Sequence, residues 1–312
     1  MNIICKKCNN EVPLGNYCDL CGAKIDKNVF FQILSKETII SDNNIKNNKY
    51  DFVREIGRGA MGIVYEAINK EINKRVAIKK LKEDLSINPS IKESFIEEAK
   101  RVAKLNHQNI VSIYDLFEDG VSVCLVFEYI DGKTLEQVIR EKKKIYYKDT
   151  IKIIKSVCEA IRYAHGQNII HRDLKPSNIM VSNDMSIVKV MDFGIAREAK
   201  DATLWITGKD IKDTSGTIAY MSPEQHRGKF DTRSDIYSLG IIMYEMLTGV
   251  IPFSGADPYT QKERMIFDKP TEKEPTIPIK LEEIIIKCLQ LEKIKRHQTV
   301  EELISDLSEI KI

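Results

Sequence analysis

At 312 residues the chain can form one large domain, or two, plus a small appendage. Its 48 Lys and Arg against 46 Asp and Glu leave a net charge of +2, which gives no reason to expect a nucleic-acid-coating surface or a polybasic membrane anchor. No signal-peptide pattern opens the sequence, and its most apolar helix candidate, residues 236–251, is interrupted by Glu245 and too short to span a bilayer, so the expectation is a soluble, cytoplasmic protein.

Four of the seven cysteines lie within the first 21 residues, as Cys5-x2-Cys8 and Cys18-x2-Cys21. Two such pairs around a loop containing Gly15 can bring four thiolates to one tetrahedral Zn²⁺, with Gly22 supplying a tight turn. Residues 1–25 are too few to fold on an apolar core, so structural zinc would supply most of their folding free energy, about 10–16 kcal/mol in comparable peptides. Two disulfides or a redox dithiol are the alternatives, and the lack of a secretion signal favours zinc. The segment is similar to zinc ribbons at the start of many bacterial multidomain proteins, which implies a structural or docking role. No cluster of bases and aromatics accompanies it, so nucleic acid is not the expected partner. Cys124, Cys158 and Cys288 sit in apolar surroundings and read as buried residues. Residues 26–49 turn polar and Asn/Lys-rich and read as a linker.

From Tyr50 the pattern becomes strand-like. Gly57-Arg58-Gly59-Ala60-Met61-Gly62 is a GxGxxG, a weak signal that a dinucleotide-binding turn shares. The residues after Gly62 are β-branched and aromatic, so the glycines are expected in a hairpin loop rather than at the start of a helix. Val76-Ala77-Ile78-Lys79 then reads as an apolar strand ending in a lysine. Ser90-Ile91-Lys92-Glu93 reads as a capping box opening a helix to about Leu105. On that helix Glu98 falls at the edge of the stripe Ile91, Phe95, Ala99 and Val102, while Glu97 points away. An inward carboxylate needs a partner, and Lys79 is the expected one.

Residues 171–178 read His-Arg-Asp-Leu-Lys-Pro-Ser-Asn, and Asp192-Phe193-Gly194 follows. An acid, a lysine, an asparagine and a second acid at this spacing match what phosphoryl transfer to a hydroxyl needs: a base, a neutralising cation and oxygen ligands for Mg²⁺. With Ser222-Pro223-Glu224, Asp235 and Arg296, these motifs in this order resemble the protein kinase family, and within it the bacterial Hanks-type (eukaryotic-like) serine/threonine kinases, over residues 50–312.

The resemblance implies an α+β, two-lobed fold. A β-rich N-lobe with one helix would span about residues 50–130 and a helical C-lobe about residues 131–312, with ATP in the cleft between them. It implies that Gly57, Gly59 and Gly62 approach the phosphates, and that Val64, Ala77 and Met180 enclose the adenine. Residues 127–130 would form the hinge, Phe127 as gatekeeper and the backbones of Glu128 and Ile130 on the purine edge. Lys79 would hold the α/β-phosphates, and Asn178 and Asp192 would bind Mg²⁺ or Mn²⁺. Asp173 would be the base and Lys175 would neutralise the γ-phosphoryl charge. Lys175, with Gly216-Thr217 ahead of Ser222-Pro223-Glu224, resembles the serine/threonine pattern, Thr217 shaping the hydroxyl site.

Arg172 next to Asp173 implies a pocket for a phosphorylated activation loop, with Thr214 or Ser215 as the first candidates and Thr203 and Thr207 as further ones. Protein substrates are then the expected partners, with a docking partner for the zinc ribbon and a homodimer for trans-autophosphorylation. Glu224 is expected to pair with Arg296, and Asp235 to bond the backbone around His171. Val102, Ile113, His171 and Phe193 are expected to form an internal column. Two alternatives stand beside the kinase: a scaffold of the same fold without transfer activity, disfavoured because Lys79, Asp173, Asn178 and Asp192 are all present, and a small-molecule kinase, which would not need residues 216–224.

Overall fold

Antiparallel strand pairing builds the first unit. In the computed structural model, which describes residues 2–4, 11–13, 21, 49–59, 61–193, 218–255 and 257–311, strands β3 (Tyr50–Arg58), β4 (Gly62–Asn69), β5 (Lys74–Leu81), β6 (Ile113–Asp119) and β7 (Ser122–Glu128) form one sheet in the order β3-β4-β5-β7-β6. β3, β4, β5 and β7 pair antiparallel in turn. Val76 and Ile78 point to one face, where Tyr50, Ala67, Cys124 and Val126 join them and Phe117 stacks on Tyr50. Residues alternate across a strand, so Ala77 and Lys79 take the opposite face. The glycines lie in the β3–β4 hairpin as expected, with Gly59 N–H donating to Gly62 O at 2.9 Å. β5 runs two residues beyond Lys79.

Ahead of this sheet, β1 (Asn2–Ile4) pairs antiparallel with β2 (Glu11–Pro13). Cys21 is half-buried, while Cys5, Cys8 and Cys18 lie outside the described residues. So does the linker, apart from Lys49.

The second compact unit comprises residues 88–113 and everything from Ile130 onward, so the helix Pro89–Val102 groups with it. That helix starts earlier than the sequence suggested. Pro89 occupies the first turn, where its missing N–H costs nothing, and Asn88 is the cap, its side chain accepting from Ser90 N and Ile91 N. The buried stripe is as expected: Ile91, Phe95, Glu98, Ala99 and Val102.

Three antiparallel strands, β8 (Gly132–Thr134), β9 (Ile179–Ser182) and β10 (Val188–Val190), form a small sheet in the order β10-β9-β8. The rest is helical. Tyr147–Gly166 packs against Thr232–Thr248 and Val300–Ser308, and Thr232–Thr248 packs also against Ile279–Cys288. Thr232–Thr248 is buried almost all round, which its continuous apolar run requires. Asp231 caps its start, and Gly249 at φ 76° ends it in the left-handed conformation that favours glycine. Among the described residues no helix is long and apolar enough to cross a membrane.

Candidate active site

In the second unit a buried aspartate shapes the loop that carries Asp173. Asp235, 1% exposed, accepts from the backbone N–H groups of His171 at 2.9 Å and Arg172 at 3.0 Å, and from His165 Nε2 at 2.8 Å. Burial alone would raise its carboxyl, but the His165 bond, the neighbouring imidazoles and the His171 N–H outweigh it and hold the pKa below the ordinary value. Arg172 adopts φ 64°, a left-handed conformation uncommon for a residue with a side chain, held by the Asp235 bonds to its own N–H and that of His171.

His171 is fully buried. The Asp173 N–H donates to its Nδ1 at 3.3 Å, so Nε2 carries the proton and donates to Met191 O at 3.0 Å. Burial lowers its pKa, consistent with this neutral tautomer. Its ring meets Phe193 at 4.6 Å, joining two members of the expected column, of which Val102 is also buried and Ile113 half-buried.

The acid, cation and carboxamide then come together. Lys175 Nζ lies 3.0 Å and 3.2 Å from the two Asp173 carboxylate oxygens. Asn178 Nδ2 donates to Asp173 O at 2.7 Å and to its Oδ2 at 3.3 Å. With its nitrogen committed to Asp173, the carbonyl oxygen is the atom of the Asn178 side chain that could hold a cation. The Met191 N–H donates to Asn178 O at 2.9 Å, which brings the chain at Asp192 alongside Asn178. Carboxamide and carboxylate oxygens suit a hard cation such as Mg²⁺ or Mn²⁺.

Further anchors flank this loop. Arg296 grips Glu224 with two bonds of 2.7 Å and 2.8 Å, the pairing expected from sequence. Burial pushes the Glu224 carboxyl up, but the guanidinium outweighs it and the pKa is lowered. Ser222 is fully buried, with its N–H and hydroxyl donating to Gln225 Oε1 at 2.9 Å and 3.1 Å. Gln225 in turn donates to Arg172 O at 3.0 Å. The Arg172 guanidinium lies over the Phe230 ring at 4.0 Å. His165 and Gln225 had no assigned role in the sequence reading. His165, six residues before His171 on the preceding helix, had only its spacing to give it away.

In the first unit, strand register pairs Val64 with Gly57 and Lys79, and Ala77 with Phe127, so these residues share the face opposite the core. Phe127 is buried and Glu128 ends β7. In the second unit Met180 is half-buried on β9, Ile130 precedes β8, and Glu98 is 4% exposed with Arg101 at 3.2 Å. The glycines differ in kind. A Cβ on Gly62 would sit 2.3 Å from Lys80 O, whereas one on Gly57 would meet only Val64 at 3.9 Å and one on Gly59 nothing within 4 Å. Gly62 is therefore required by strand pairing. Among the described residues nothing packs where a Cβ on Gly59 would sit, and only Val64 lies near one on Gly57. Gly194, Thr203, Thr207, Thr214, Ser215, Gly216 and Thr217 lie outside the described residues.

A β-rich unit, a helical unit and this loop define a protein kinase domain, and the sequence model described as "Protein kinase domain" matches residues 50–306. The chain belongs to the protein kinase family. It is 39% identical over 271 residues to a probable serine/threonine-protein kinase of Clostridium perfringens, covering 86% of this chain and 39% of that protein. It is 38% identical over 272 residues to the serine/threonine-protein kinase PknB of Mycolicibacterium smegmatis, covering 84% and 43%, and 37% identical over 275 residues to a probable PknB of Corynebacterium glutamicum, covering 84% and 42%. The chain thus spans well under half the length of these curated relatives.

Proposed function

We propose that this chain is an ATP-dependent serine/threonine protein kinase that transfers the γ-phosphoryl group to Ser and Thr hydroxyls of cytoplasmic proteins and phosphorylates its own activation loop. The observation that carries this reading is the contact of Asp173 with both Lys175 and Asn178 in one loop. ATP with Mg²⁺ or Mn²⁺ supplies the phosphoryl group and shields its charge when bound. Asp173 accepts the acceptor hydroxyl's proton and aims its oxygen. Lys175, already beside that carboxylate, neutralises charge on the moving group. Asn178 and Asp192 offer the metal-binding oxygens. Lys79 is assigned to the α/β-phosphates, steadied by Glu98, with Gly57, Gly59 and Gly62 in the covering loop. Val64, Ala77 and Met180 are assigned to the adenine and the backbones of Glu128 and Ile130 to its edge. Thr217 shapes the hydroxyl site, and Arg172 exchanges Phe230 for a phosphate on Thr214, Ser215, Thr207 or Thr203, transferred there from ATP by a second copy of the chain.

The test is incubation of the purified full chain with ATP and Mg²⁺, with and without casein, followed by mass-spectrometric site mapping. Wild-type protein should label the activation loop and casein, and Asp173→Asn should lower kcat by about 10²–10⁴-fold while still binding ATP. Nucleotide binding with no phosphate incorporated by the wild type would sink the reading in favour of a scaffold.

Cys5, Cys8, Cys18 and Cys21 are assigned to one structural Zn²⁺ in a docking module. Their spacing supports this, as do the antiparallel strands β1 and β2 on either side of residues 5–10. A reducing cytoplasm keeps such thiols available for metal. Elemental analysis should find zinc in the full chain and not after Cys5→Ser with Cys18→Ser; zinc-free wild-type protein would overturn the assignment.

A further inference from the structure

Lysine is almost never fully buried unless paired, yet Lys262, on the helix Pro258–Arg264, is 1% exposed. Among the described residues no carboxylate forms an ion pair with it. Its ammonium donates instead to two main-chain carbonyls, Ile218 O at 2.6 Å and Met221 O at 2.8 Å. Burial pulls its pKa down to about 8, and the two charge-assisted bonds favour the ammonium form against that burial.

The turn that Lys262 grips is held from other sides as well. The Met221 N–H closes on Ile218 O at 3.3 Å. From the helix Thr232–Thr248, Ser238 Oγ donates to Tyr220 O at 2.9 Å, and Glu245 accepts from the Tyr220 hydroxyl at 2.6 Å. Downstream, Ser222 bonds to Gln225, whose amide reaches Arg172 O, one residue from Asp173. Residues 218–222 are thus tied to the loop that carries the base, while the Ile218 side chain stays exposed. An apolar chain of lysine's length could fill the space at 262 without desolvating a charge. What the ammonium adds is a fixed direction for two carbonyls of one turn.

We propose that Lys262 is a positioning residue for the protein substrate: it fixes residues 218–222 as the platform on which the polypeptide segment carrying the acceptor Ser or Thr docks. This rests on the kinase reading above and assigns that activity a residue remote from the reacting atoms. The platform must hold the acceptor hydroxyl near Asp173, and misplacement of about 1 Å can cost about 10²-fold in rate.

The test compares wild type with Lys262→Met, which keeps the stem and removes the ammonium, using the full chain, casein as acceptor, and ATP hydrolysis without acceptor. Loss of two buried charge-assisted bonds should lower kcat/KM for casein by about tenfold or more, with KM for ATP and acceptor-free hydrolysis within about twofold of wild type. An unchanged kcat/KM for casein overturns the proposal. So does an equal fall in both reactions, which is what a merely structural role would produce. If Lys262→Met fails to fold, Lys262→Gln, which removes the charge and keeps an amide NH2 on a shorter stem, is read by the same ratio. A wild-type chain that labels neither itself nor casein overturns the kinase reading and this inference with it, whereas an active wild type with an indifferent variant overturns the inference alone.

Discussion

Arg296 uses all five of its N–H donors: two on Glu224, and one each on the carbonyls of Gln290, Leu291 and Arg233. It is 2% exposed, so no water can take over any of these bonds. Removing the guanidinium alone strands the Glu224 carboxylate, and a broken buried pair costs about 3–5 kcal/mol. Arg296→Met should therefore lower unfolding stability by that amount in a urea titration at neutral pH. Adding Glu224→Gln should recover part of the loss, because the stranded charge is gone. The exposed pairs Arg58–Glu55 and Arg162–Glu159 show bonds as short, at 2.6 Å, yet water screens them and they add little to stability. Equal losses from Arg162→Met and Arg296→Met would show that burial is not what sets the scale.

At the scale of elements, the β3–β4 hairpin separates a glycine needed for folding from glycines left for a ligand. Gly62→Ala forces a Cβ to within 2.3 Å of Lys80 O in the β4–β5 ladder, an overpacking worth about 1–3 kcal/mol. Gly59→Ala meets nothing among the described residues, so its stability should stay within about 0.5 kcal/mol of wild type. If phosphates approach this loop, Gly59→Ala should instead weaken ATP binding. Thermal melts and nucleotide titrations of the two variants check the split, and a Gly59→Ala chain with unaltered ATP affinity would remove that residue from the phosphate site. The hairpin, β5 and the helix bearing Glu98 were legible because period-2 and period-3.6 patterns survive in short windows. The helix start differs because Ser90 and Glu93 imitate a capping box within the first turns of a helix that Asn88 and Pro89 already begin. Asp173, Lys175 and Asn178 were readable because the loop that joins them is only six residues long. Lys262 was not, because a lysine on a short helix reads as solvated until the fold brings Ile218 and Met221 to it.

For the molecule as a whole, the response to acid sums over the second unit. His107, His171 and His297 all have folded pKa values lowered by burial from the ordinary 6.5. The buried Cys288 thiol, kept protonated by desolvation, lies 3.4 Å from His297 Nδ1, so Nε2 carries the proton toward Asp306 at 2.9 Å. A histidine held neutral by the fold binds fewer protons folded than unfolded. Its stabilising contribution is complete above 6.5 and is lost as pH falls from there toward the folded value. Asp235 and Glu224 act in the same sense at lower pH: held below their ordinary 3.8 and 4.5, they stabilise above those values and lose that contribution as pH falls toward their folded values. Glu245, raised by burial, opposes them in the acid range. Asp231 and Asp306, also held low by their cationic partners, add to the first set, so the groups that lose stability in acid outnumber Glu245. The denaturation midpoint should therefore begin to decline as pH falls through about 6.5, above the range where Asp235 and Glu224 lose their contribution. His297→Gln should flatten that decline by removing one of its three sources. A midpoint that holds level through this window and drops only in the carboxylate range would mean that the buried imidazoles take up protons as readily as exposed ones.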